Sequence, residues 1–90
     1  MAVSILKIKI LPESPETNLE DLETKVRESL EKAGAVKINS VEQEEIAFGL
    51  KALVVTFAWP EDKETEEAEN ACKVQGVSSV QVIDYRRAFG

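Results

Sequence analysis

The sequence predicts an α+β sandwich in which a four-stranded antiparallel sheet carries two helices on one face. Three observations predict it. Alternating apolar runs at the start, middle and end read as strands, two stripes at helical spacing separate them, and the resulting order is βαββαβ within 90 residues, a length that supports one modest core.

The first strand is read from Val3 to Leu11, where Leu6, Ile8 and Ile10 share one face and Lys7 and Lys9 the other. Pro12 and Pro15 end it. Thr17 with Glu20 three residues on matches a capping box, and Leu19, Leu22, Val26, Leu30 and Ala33 follow as the apolar stripe of a helix that stops at Gly34. Val36, Ile38 and Val41 open a second, irregular or bulged strand, which the polar run Glu42 to Glu45 is expected to interrupt. Ile46-Ala47-Phe48-Gly49 reads as a short apolar turn into the third strand, Leu50 to Trp59, with Leu53, Val55 and Phe57 on one face. Pro60-Glu61-Asp62-Lys63 breaks that strand. Ala68, Ala71, Cys72 and Gln75 then mark a weaker helical stripe before Gly76. The last strand is read from Val77 to Ala88; Val80 and Val82 have one parity and Ile83 and Tyr85 the other, so a bulge is expected mid-strand. This order is that of the ferredoxin-like split-βαβ sandwich, a fold that hosts many functions.

Composition excludes several chemistries. Eleven Lys and Arg stand against 17 Asp and Glu, a net charge of −6, which repels a phosphate backbone and suits a basic partner surface. Direct nucleic-acid binding is therefore not expected. With no histidine and a single cysteine, Cys72, the chain cannot assemble His-based acid/base pairs, Ser-His or Cys-His nucleophiles, Cys/His zinc sites or an intrachain disulfide. No Cys/His metal site is expected. Cys72, on the apolar stripe, reads as a small buried hydrophobe. The acidic run from Glu61 to Glu69 reads as the solvated face of the second helix, with negative charge at its N-terminus. Met1 leads directly into the alternating strand, and no apolar run approaches the ~18 residues of a membrane span. The expectation is a stand-alone cytoplasmic protein without membrane contact, for which an oligomer is not required.

Two other readings of the same order meet obstacles. An acylphosphatase-type hydrolase needs an anion-cradling loop with an arginine after the first strand, whereas Pro12-Glu13-Ser14-Pro15-Glu16 offers two carboxylates. An RNA-recognition module needs exposed stacking aromatics on its central strands. The first strand has none, and Phe57 and Trp59 share the face of Leu53 and Val55.

Three blocks taken together, Pro12-Glu13-Ser14-Pro15, Ile46-Ala47-Phe48-Gly49-Leu50-Lys51-Ala52-Leu53, and Gly76 to Val82 with Asp84-Tyr85-Arg86-Arg87, resemble the elongation factor 1-beta family in its archaeal form over essentially the whole chain. The resemblance implies a single exchange-factor domain over residues 1–90, acting on the translational GTPase elongation factor 1-alpha without covalent chemistry of its own. Such a factor works by binding the nucleotide-free or Mg-free GTPase better than the GDP-bound one.

The resemblance also implies partner-binding roles for Phe48, Gly49, Lys51, Arg86 and Arg87. Phe48 matches the family's exposed aromatic anchor and Lys51 a basic position beside it. Arg87 matches the basic residue near the C-terminus that is directed at the partner's Mg and phosphate region. Two positions differ from the eukaryotic members, which carry lysine where this chain has Arg87 and a second lysine where it has Ala52; an arginine is a planar fork, not a point charge. Successive strand residues face opposite sides, so Arg86 and Arg87 are not expected to reach one pocket, and Arg87 is favoured. By residue type alone Phe48 reads as a core aromatic and the two arginines as solvated charges. A ferredoxin-like module that binds a small ligand or dimerises stays open as the alternative.

Overall fold

Six elements follow one another in the computed structural model, which describes residues 2–47 and 49–88: β1 (Val3–Pro12), α1 (Leu19–Ala33), β2 (Lys37–Ala47), β3 (Leu50–Pro60), α2 (Thr65–Ala71) and β4 (Val77–Ala88). The strands form one sheet in the order β2-β3-β1-β4, with every neighbouring pair antiparallel. This is the ferredoxin-like α+β architecture that the element order predicts. No described helix is long and apolar enough to cross a membrane.

The core follows from strand alternation. Leu6, Ile8 and Ile10 of β1 and Leu53, Val55, Phe57 and Trp59 of β3 present one face to Leu22, Val26 and Leu30 of α1 and to Ala68 and Cys72 around α2, all buried. Trp59 meets Phe57 edge-on, with ring centroids 6.0 Å apart and an interplanar angle of 87°, and its indole N–H donates to the Glu64 carbonyl at 3.2 Å. Both aromatics are core residues with no face free for base stacking.

The helix ends show where local chemistry departs from the sequence expectation. The N-cap of α1 is Asn18, not Thr17: its Oδ1 accepts from the backbone N–H of Glu20 at 3.0 Å and of Asp21 at 3.2 Å. Thr17 belongs to the preceding turn, where its N–H donates to the Ser14 carbonyl at 3.2 Å. At the other end Gly34 takes φ 116°, a left-handed conformation costly for any residue with a Cβ. There Lys63 Nζ donates to the Ala33 carbonyl at 2.9 Å, a cation placed at the negative end of the helix.

Two strands also differ from expectation. β2 continues through Glu42–Glu45 without interruption, because an edge strand needs only one hydrogen-bonded neighbour and both its faces can be wet at that point. Its irregularities fall on either side, at the register shifts between Ile38 and Ser40 and between Glu45 and Ala47. Ile46 and Ala47 therefore belong to the strand, and Ala47 pairs with Leu50 at the start of β3. β4 carries the expected bulge: Lys7 pairs with Asp84 and Ile8 with Val82, which leaves Ile83 as the extra residue. Beyond it Tyr85 lies level with Leu6, on the helix-bearing side, where its hydroxyl accepts from Ser4 Oγ at 3.0 Å. The second helix is shorter than its apolar stripe, ending at Ala71 so that Gln75 lies beyond it, exposed.

Candidate functional site

The antiparallel register sets the candidate residues at the two ends of one sheet. Lys51 follows the hairpin tip, whereas Trp59, eight residues along β3, is level with Ser4, and Ser4 is level with Arg87. At about 3.3 Å per residue, the Lys51 and Arg87 rows are separated by roughly 26 Å. Lys51 has the parity of Leu53 and Val55, and Arg87 that of Ser4 and Trp59 across the ladder, so both belong to the helix-bearing side.

At the tip end, Gly49 adopts φ 77°, a left-handed geometry that glycine takes without strain, just before Leu50, which pairs with Ala47. Gly49 and Lys51 line an open groove of about 510 Å³ whose other walls include Pro12 at the end of β1, Pro15 from the β1–α1 connection, Leu19 at the start of α1 and Gln43 from β2. The Pro12-to-Pro15 segment, read from sequence as a strand stop, thus also walls the groove next to the tip. Phe48 lies outside the described residues.

At the opposite end the two arginines diverge, as strand alternation requires. Arg86 is level with Ile5, on the face without helices, and its Nε donates to Asp84 Oδ2 on the same strand at 3.1 Å. Arg87 lies 2.7 Å by its Nε from Glu61 Oε1, on the turn between β3 and α2. Both arginine side chains are largely exposed, at 77% and 73%, and the Arg86–Asp84 pair, open to water on both sides, restrains its arginine only weakly. Glu61 was not legible in the sequence as a site residue. It lies 87 − 61 = 26 positions from Arg87, and only the strand register brings the two together.

The buried chemistry is inert. Burial, with the Glu69 carboxylate adding to it, pushes the Cys72 thiol up to about 12 from its ordinary 9.0, so it stays a neutral thiol and not a nucleophile. Among the described residues no group of three or more Cys, Asp and Glu side chains is arranged to hold a metal ion.

Comparison with known proteins supplies the family. Residues 5–87 match the EF-1 guanine nucleotide exchange domain, and the chain belongs to that family. Its relatives include proteins named Elongation factor 1-beta from Methanosarcina barkeri, 48% identical over 83 residues, covering 90% of this chain and 92% of the relative. The namesake from Methanocaldococcus jannaschii is 42% identical over 87 residues, 93% and 96% of the two chains. That from Methanothermobacter thermautotrophicus is 35% identical over 85 residues, 92% and 93%. The resemblance carried by the three sequence blocks is thereby borne out, and membership supports a nucleotide-exchange role.

Proposed function

We propose that this chain is a single-domain guanine nucleotide exchange factor that promotes GDP release and GTP reloading on elongation factor 1-alpha. The observation that carries the reading is the family match over residues 5–87. The hairpin tip, with Phe48, Gly49 and Lys51, is the gripping end. Arg87 is the working end, with Arg86 serving the rim of the same contact.

Exchange of this kind needs no bond made or broken by the factor. It needs a surface that fits the nucleotide-free GTPase better than the GDP-bound one, since a ligand shifts an equilibrium only by its differential affinity for the two states. A guanidinium delivered to a site where Mg²⁺ and phosphate oxygens meet supplies such a difference: it satisfies the anionic ligands once the metal leaves and is repelled while the metal stays. Separating grip from action across about 26 Å of rigid sheet lets the factor hold one part of the partner while disturbing another. The test is release of a fluorescent GDP analogue from elongation factor 1-alpha, with the chain far below stoichiometric amounts. Acceleration supports the proposal; an unchanged release rate with active GTPase rejects it.

A further inference from the structure

Glu61, the first residue beyond β3, stands at the Arg87 end on unusually firm ground. Its backbone N–H donates to the Ala2 carbonyl at 3.3 Å, tying the turn to the start of β1. Two residues on, Lys63 is anchored to the Ala33 carbonyl at 2.9 Å and its Nζ lies 5.7 Å from the centre of the Trp59 ring. The turn is thus pinned to β1, α1 and the core. The Glu61 side chain is only 23% exposed, against 73% for Arg87. A largely sequestered carboxylate on a pinned turn therefore faces an exposed guanidinium near the end of β4.

The contact is chiefly one of charge. Glu61 Oε1 is buried and 2.7 Å from Arg87 Nε, yet no donor among the described residues is aligned on it as a hydrogen bond. Arg86 provides the contrast, since its partner Asp84 has a side chain 42% exposed and lies on its own strand. That pair ties Arg86 to nothing but β4, whereas Glu61 ties Arg87 to the body of the fold.

We infer that Glu61 is a positioning residue for Arg87, a role that rests on the reading of Arg87 as the working cation. Because the carboxylate sits closest to Nε, the two terminal amino groups are the donors that a partner's anionic oxygens would meet, the fork that suits carboxylate and phosphate. An arginine held near its docked geometry also loses less rotamer freedom on binding.

The test is a double-mutant cycle in the GDP-release assay. Glu61→Ala lowers the limiting exchange rate about three- to tenfold, with the half-saturating concentration moved less than about twofold because the gripping end is untouched. Glu61→Gln, of the same shape but uncharged, lowers it equally, Glu61→Asp restores part of the rate, and melting temperatures stay within a few degrees. In an Arg87→Ala background, Glu61→Ala has no further effect, the signature of action through Arg87. An unchanged or faster rate in Glu61→Ala while Arg87→Ala slows exchange overturns the assignment, as does a full Glu61→Ala loss persisting without Arg87. If Arg87→Ala itself leaves exchange unaltered, the reading of Arg87 fails and the positioning role falls with it.

Discussion

Replacing Arg87 by Ala separates folding from function more cleanly than any other single change. The ion pair lost is exposed on the arginine side at 73%, a class of interaction contributing about 0–1 kcal/mol. Glu61, left without its counter-charge, can turn its outer oxygen to water. The melting temperature of a 90-residue domain should then fall by no more than about 4–8 °C. If the guanidinium makes one charge-assisted contact in the exchange complex, its removal costs about 1.5–3 kcal/mol, or roughly a 10- to 150-fold slower limiting rate of GDP release. Lys51→Ala acts at the other end of the sheet and should raise the half-saturating concentration instead. Because the two rows lie roughly 26 Å apart, the free-energy effects in the double variant should add to within about 0.5 kcal/mol. The assay is stopped-flow release of a fluorescent GDP analogue across a titration of each variant, beside a thermal melt. A rate loss matched by a collapse in melting temperature, or effects of the two substitutions that do not add, would refute the two-ended arrangement.

Three further outcomes test the fold that positions these ends. Gly34→Ala forces a Cβ into φ 116° and to 2.7 Å from Lys63 Cε; the lysine can swing away, but only by giving up the Ala33 carbonyl. The backbone strain is worth about 1–2 kcal/mol and the lost bond about 1 kcal/mol, so a melt should show a drop of roughly 10–20 °C; a shift below a few degrees contradicts the capping geometry. Asn18→Ala should cost about 1 kcal/mol in urea unfolding, and Thr17→Ala clearly less; the reverse order would return the cap to Thr17. The Cys72 thiol is held up at about 12 in the fold against 9.0 when free, so the native state keeps its proton more tightly. Its contribution to stability is complete below pH 9 and declines as the pH rises from 9 towards 12. Urea midpoints should therefore fall more steeply above pH 9 for the native sequence than for Cys72→Ala, and equal slopes would remove the thiol from the cause.

What was legible in the sequence was whatever buries one face. β1, α1 and β3 each place a regular apolar set against the core, so their period survives in the residue pattern. β2 does not, because residues 42–47 are exposed and the strand persists through backbone pairing with β3, which leaves no apolar period to read. The second helix was blurred for a related reason: only Ala68 within its seven residues is buried, so the stripe appeared to run on to Gln75. The bulge at Ile83 was visible as a change of parity, but its consequence, Tyr85 joining Ser4 on the helix-bearing side, needed the register. At the candidate site, the opposed directions of Arg86 and Arg87 followed from strand alternation alone. The Glu61 contact depended on the meeting of a turn with the end of β4, and the role of Phe48 continues to rest on the family resemblance.

Exchange by differential binding is tested most directly by the chain's affinity for elongation factor 1-alpha in two states, nucleotide-free and GDP-loaded with Mg²⁺, measured by titration calorimetry. The chain should bind the nucleotide-free form at least tenfold more tightly. By linkage, GDP affinity should fall by the same factor when the chain is bound. Equal affinity for the two states would contradict the account, because a ligand indifferent to the two states cannot drive the nucleotide out.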